Sequence, residues 1–391
     1  MRRPLQAARS AVAAAAVAAL AGAPAALAAQ SSLAVQGFGY PTGQLSTRAL
    51  GTGGALGEFD PVSPLNPAAL LDLGRTFAAF QYDPEFRRLT ATGGSQRNTV
   101  ARFPVVAVGG PFRRRAVFAL SASTLLDRTF SDTLVTTTTF VDRTVSATER
   151  AESNGSIADI RLGVAYGPAR WLRVGLAGHV LTGENRLVSS RRFADTLTFR
   201  STADSTTLDY TGSAVTLGAE ATPARGVRVA GSYRRGNGMS VSRNDSTLAR
   251  ANAPDRAGIA LRVDRVAGAA FAVGYSRTTW SRMRGLGSAA LEVADVDEVN
   301  AGVEATGPRV GEYPLLLRLG GRRRTLPFGV GGARVRETSF GGGAGLPLGG
   351  GRALADVAVQ RALRTPQGGA GAVRDARERA WLLSVGFTVR P

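Results

Sequence analysis

The chain contains no cysteine, no lysine and a single histidine, His179, among its 391 residues. Without cysteine there is no disulfide framework, so an exported chain of this kind must be held together by other means. One histidine and no thiol leave no basis for a His/Cys metal cluster and weaken any Ser-His-Asp hydrolase reading. His179 reads as an ordinary inward polar residue, and no cofactor or catalytic group is expected. Beyond residue 28 there is no run of 18 or more apolar residues, which removes a helical membrane span. The glycine runs Gly341-Gly342-Gly343 and Gly349-Gly350-Gly351 lack the following helix and lysine of a phosphate loop, and read as turns or bulges.

All 48 basic residues are therefore arginine, against 29 acidic residues, and the formal charge is +19. Nucleic-acid binding would fit the number. It does not fit the distribution, because no basic tail or helix gathers the arginines. Anionic lipid headgroups of an outer membrane suit scattered arginine better. Glycine, at 49 residues, is well above the usual ~7%.

Residues 1–28 have the layout of a secretory signal: Arg2, Arg3 and Arg9, an Ala/Val/Leu stretch over 11–26, and Ala26-Leu27-Ala28 as a cleavage site. Residues 29–49 are polar and weakly patterned. Residues 50–74 are rich in Gly and Pro and carry Glu58 and Asp60. Asn66-Pro67 is a turn signal, and the pair also suits the cap and first residue of a short helix over 67–73.

From residue 75 the period is two. Ile160, Leu162, Val164 and Tyr166 share one face, opposite Asp159, Arg161, Gly163 and Ala165. Trp381, Leu383, Val385, Phe387 and Val389 oppose Leu382, Ser384, Gly386, Thr388 and Arg390. Successive strand side chains point to opposite sides. One face is lipid-like, the other small, polar and often Arg, which is the pattern of a transmembrane barrel. Tyr166, Tyr233, Trp280 and Trp381 near segment ends suit an aromatic girdle. At roughly 22 residues per strand and connection, 75–391 holds about 14 strands. Long polar connections are expected at 127–156, 234–255, 280–296, 323–337 and 364–379, with the first of these able to extend as strands. The segment 99–108 reads as either strand or loop.

Leu50-Gly51-Thr52-Gly53-Gly54-Ala55, then Asp60, then Ser63-Pro64-Leu65-Asn66-Pro67-Ala68-Ala69-Leu70 resembles the N-terminal hatch of the outer-membrane long-chain fatty acid transporter family, the FadL/TodX family. PorV-like outer-membrane proteins share similar boxes. The resemblance implies an all-β antiparallel barrel of about 14 strands (75–391), with a plug or hatch (29–74) inside its lumen and a signal peptide (1–28). It implies a monomeric, non-enzymatic outer-membrane channel for passive uptake of hydrophobic small molecules such as long-chain fatty acids. The ligand would leave sideways through a gap in the wall. Gly51, Gly53, Gly54, Asp60, Asn66, Pro67 and Ala68 would form the hatch. Inward Arg161, Arg173, Arg228, Arg262 and Arg318 could anchor a ligand carboxylate, or simply pair with Asp159, Asp264, Asp356, Glu58 and Asp60. A general or anion-favouring porin and a structural or secretion-associated barrel are the other readings.

Overall fold

The wall follows directly from the alternation. A computed structural model describes residues 33–36, 38–91, 94–140, 143–195, 198–266, 268–287, 291–329, 332–369 and 372–391; the leader over 1–28 lies outside them. The strands are β1 (Phe77–Ala91), β2 (Gly94–Arg102 and Val105–Arg113), β3 (Ala116–Asp127 and Phe130–Phe140), β4 (Arg143–Tyr166) and β5 (Leu172–Phe193). Then come β6 (Thr202–Ala224), β7 (Val227–Arg243), β8 (Ser246–Asn252 and Arg256–Val266), β9 (Ala269–Thr278) and β10 (Val296–Val310). The last four are β11 (Tyr313–Thr325), β12 (Arg334–Leu348), β13 (Ala353–Gln367) and β14 (Arg377–Val389). Each is antiparallel to the next, and β14 pairs with β1 from Ala78↔Val389 to Thr90↔Arg377. The result is a closed 14-stranded antiparallel barrel. Closure leaves no free edge along this seam.

The two faces are as expected. Ile160, Leu162, Val164, Tyr166, Leu383, Val385 and Phe387 are exposed on the outside, while Asp159, Arg161, Ala165 and Ser384 are buried inside. A continuous apolar outer surface of this extent requires lipid rather than water. Tyr166, Tyr233 and Trp381 are exposed as a girdle would be, but Trp280 is only 4% exposed. It opens a 3-10 turn, Trp280–Leu286, that buries Trp280, Met283 and Leu286 together. Spacing of three along that turn puts the three side chains on one inward side.

Two expected loops are also strands. Residues 127–156 and 234–255 form hairpin ladders, Phe130↔Ser153 to Phe140↔Arg143 and Gly238↔Asn252 to Arg243↔Ser246. Thr-rich segments suit a strand even without burial. The second hairpin turns at Asn244 and Asp245, both with positive φ, the two-residue geometry that favours these side chains. Residues 99–108 are strand on either side of a break at Phe103-Pro104. Residues 29–49 were expected to be weakly ordered. From Leu33 on they are instead largely buried, and a helix, α1 (Thr47–Gly51), begins with Ser46 as its cap. Their partners are wall residues far away in sequence, which local pattern does not reveal.

Candidate functional site

The N-terminal segment packs on the inner face of the strands, and its chemistry explains why. Gly53 has φ +66°, and a Cβ there would lie 2.4 Å from the backbone N of Gly321 on β11. Only glycine serves, both for the left-handed backbone and for the close approach. Asn66 caps the 3-10 turn Pro67–Leu73, accepting from Ala68 N at 3.0 Å. Its amide donates to Glu58 O at 3.1 Å and to Ala219 O of β6 at 3.3 Å. Opposite it, a Cβ on Gly218 would sit 2.0 Å from Asn66 Oδ1, so the wall is cut away to receive the turn. Asp60 accepts from Ser63 N and Oγ at 2.9 and 2.8 Å, closing a local turn. Pro67 and Ala68 lie against Gly175, while Gly51 lies against Arg318 and Gly343.

Ion pairs join segment and wall. Arg48 forms a forked pair with Glu304 at 2.9 and 2.6 Å, and Glu304 also accepts from Arg318 at 2.8 Å. Arg318 reaches Asp356 on its other side. Arg256 meets Glu58 at 2.7 Å. Arg173 and Arg228 share Asp72 and Glu220, and Arg262 pairs with Asp264. Burial opposes ionisation of Asp72, but Arg173 and Arg228 outweigh it and hold its carboxyl below the usual range. Of the five arginines singled out from sequence, four are thus engaged by carboxylates. Arg161 is the exception, with Nη2 buried and unpartnered. His179 is buried, with Nδ1 2.7 Å from Asp159 and Nε2 2.8 Å from Thr216. Asp159 in turn accepts from Gln44 at 2.9 Å and Arg234 at 3.3 Å, tying the wall to the segment.

Two features were not read from the sequence. Tyr40 stands among the guanidiniums of Arg87, Arg102, Arg324 and Arg364, each within 5.3 Å of its ring centre, and its hydroxyl lies 3.0 Å from Glu337. Further toward the long-loop end an apolar interior gathers Phe38, Tyr210, Met239, Trp280, Met283 and Phe328. Arg128 lies between the rings of Phe38 and Tyr210, donating to Phe38 O at 2.8 Å. The three-residue spacing of Trp280, Met283 and Leu286 was the one sequence signal for this cluster.

The lumen also contains free space. A cavity of about 400 Å³ opens toward the end that carries the C-terminus. Arg48, Asp60, Val62, Leu316, Arg318 and Leu354 are among its lining. Its size is in the range of small-molecule sites, with apolar walls and a few charged groups.

The wall is interrupted between β2 and β3. Val105–Arg113 pairs with Ala116–Ser123 of β3. Beyond the break, Gly94–Arg102 pairs with β1 and Phe130–Phe140 with β4. Among the described residues these two pieces do not pair with each other; Gln96 Nε2 spans to Ser131 O at 3.3 Å. Pro104 cannot donate to a ladder. Phe103, exposed at the break, contacts the rings of Phe80 and Tyr82. From inside, Tyr40 and Pro41 pair with Asp127 and Leu126.

A closed barrel with an apolar outside, a charged inside and an N-terminal segment packed on its inner wall defines the outer-membrane β-barrel class. No protein-family profile and no curated protein matches the chain. Among solved structures it is similar to a Pseudomonas aeruginosa FadL homologue, with TM-score 0.59 at 11% identity, covering 90% of this chain and 99% of that one. It is similar to the CymD monoaromatic hydrocarbon channel, with TM-score 0.54 at 12% identity, covering 89% and 97%. The Pseudomonas putida toluene transporter TodX matches with TM-score 0.52 at 12% identity, covering 83% and 92%. The chain therefore has the fold of FadL/TodX-type barrels, and these neighbours are transporters and channels rather than enzymes.

Proposed function

We propose that this chain is an outer-membrane channel for passive uptake of hydrophobic small molecules, long-chain fatty acids among them, gated by residues 29–74 acting as a hatch. The observation that carries the reading is the occupied lumen: α1 and the 3-10 turns Gly57–Phe59 and Pro67–Leu73 meet strands on several sides of the barrel. A lumen filled this way suits a ligand handed between apolar pockets and does not suit a wide water pore. The 400 Å³ cavity is the space proposed for a ligand, with Arg48 and Arg318 as polar contacts. Arg161, Arg173, Arg228 and Arg262 are proposed to anchor or align within the lumen. Gly51, Gly53, Gly54, Asp60, Asn66, Pro67 and Ala68 are proposed to shape the hatch. The unpaired stretch above Phe103-Pro104 supports a sideways exit into lipid, which spares an apolar molecule from crossing water. The neighbours named for toluene and monoaromatic hydrocarbons support the same class of cargo.

The test compares two readouts on the purified, reconstituted chain. Liposomes containing it are expected to take up a fluorescent fatty acid or toluene faster than empty liposomes, while planar bilayers show only small, intermittent currents. Large steady currents without enhanced uptake would establish a porin instead.

A further inference from the structure

Three neighbouring strands place arginine directly opposite arginine on the outer surface. Arg88 of β1 is in register with Arg97 of β2 on one side and with Arg379 of β14 on the other. All three are exposed. Strands lie about 4.8 Å apart, so the three side chains leave the wall within about 10 Å of one another. Like charges directly opposite across strands are destabilising, and among the described residues no carboxylate pairs with this row. The carboxylates of the same strands, Asp83, Glu85 and Glu378, are buried on the inner face. Among the described residues no carboxylate forms a salt bridge with Arg88, Arg97 or Arg379. The register continues the pattern diagonally, with Arg377 opposite Thr90 and Arg361 opposite Trp381.

The row has a defined depth. One pair nearer the barrel middle stand Phe86 and Trp381, in register with each other and each half exposed. Aromatic side chains mark the membrane–water interface, so the arginines sit at headgroup level just beyond it. Arg361 lies over the Trp381 ring at 5.4 Å. This end of the barrel is opposite the chain's C-terminus and carries the longer connections, which in such barrels face outward.

We infer that Arg88, Arg97 and Arg379 form a binding site for the phosphorylated headgroup of an outer-leaflet glycolipid, whose acyl chains run down the wall past Phe86 and Trp381. A guanidinium fork matches phosphate oxygens. A doubly phosphorylated headgroup would neutralise a row that the protein leaves uncompensated. The acyl contact with the aromatics favours a lipid over a free anion. The inference rests on the membrane placement used above, but not on what the lumen transports.

The test uses the full chain in neutral detergent micelles, with bisphosphorylated lipid A as probe and native mass spectrometry as readout. Wild type is expected to hold the lipid, and dephosphorylated lipid A to bind at least about tenfold more weakly. The Arg88→Gln/Arg97→Gln/Arg379→Gln variant is expected to lose at least about tenfold in affinity, given the contribution of each basic side chain at an anionic surface. A control removes the same charge from exposed turns at the other end, Arg114→Gln/Arg225→Gln/Arg352→Gln, and is expected to bind like wild type. Equal losses in both triple variants, equal binding of dephosphorylated lipid, or full competition by equimolar inorganic phosphate would each overturn the site. Heat-modifiable gel migration reports folding. If the triple variant does not fold, Arg88→Gln alone carries the test, since Arg88 is the middle of the row. Hydrophobic uptake by these variants is expected to match wild type, so a failed transport reading and a failed lipid site give different results.

Discussion

Gly53 is the residue on which the N-terminal segment turns against the wall. Its left-handed backbone would cost any other residue about 1–2 kcal/mol, and its missing side chain leaves room for β11 backbone at a distance no Cβ tolerates. Gly53→Val is expected to loosen residues 33–74 while the barrel ladders persist. Limited proteolysis in detergent should then cut within 33–74 at least ~10-fold faster than in wild type, with gel migration of the folded barrel unchanged. Cutting at the wild-type rate would mean the close approach at Gly321 does not hold the segment. The arginines act differently at this scale. Arg48, Arg256 and Arg318 meet carboxylates that are themselves buried, so losing one partner strands a charge. Asn66→Ala should be milder, about 1 kcal/mol for the lost cap, although the amide also bridges to Glu58 and Ala219.

Among the elements, β2 and β3 stand apart because they are broken neighbours whose outer pieces, among the described residues, do not pair with each other. Their inner pieces pair along Val105–Arg113, and their outer pieces turn to opposite neighbours. The N-terminal pair Tyr40-Pro41 backs the opening from inside by pairing with Asp127 and Leu126. If ligand leaves here, tying the two outer pieces together should stop it. The absence of native cysteine makes Gln96→Cys/Ser131→Cys a clean cross-link, at the point where Gln96 already bridges the gap. Oxidised, the variant should lose most of its hydrophobic uptake into liposomes; reduced, it should recover. Uptake unaffected by a complete cross-link would move the exit elsewhere, for instance to the cavity that opens toward the C-terminal end.

Over the whole molecule, what was legible in the sequence is what repeats locally. The alternation of Ile160 to Tyr166 and of Trp381 to Val389 states which face meets lipid, because a strand's period of two is written in adjacent residues. The Asn66 cap over Pro67–Leu73 was legible for the same reason. Arg128 was not, since the rings that stack on it belong to Phe38 and Tyr210, one on each side of it and far away in the chain. Trp280 was placed on the outer girdle because its neighbours could not reveal that its turn folds inward. The cross-strand arginine row needed the register as well. The same division shapes the behaviour of the molecule. The wall closes on itself through strand pairing alone, whereas the segment over 33–74 is held to it by glycine contacts and ion pairs from separate strands. Removing that segment should therefore leave a folded barrel with an open, arginine-lined lumen. Deletion of residues 33–74 is expected to convert small intermittent currents into steady ones of about tenfold or greater conductance with a preference for anions, as a positive lumen focuses them. A barrel that folds after this deletion yet stays non-conducting would mean that the apolar cluster around Trp280 and Met283, and not the N-terminal segment, closes the lumen.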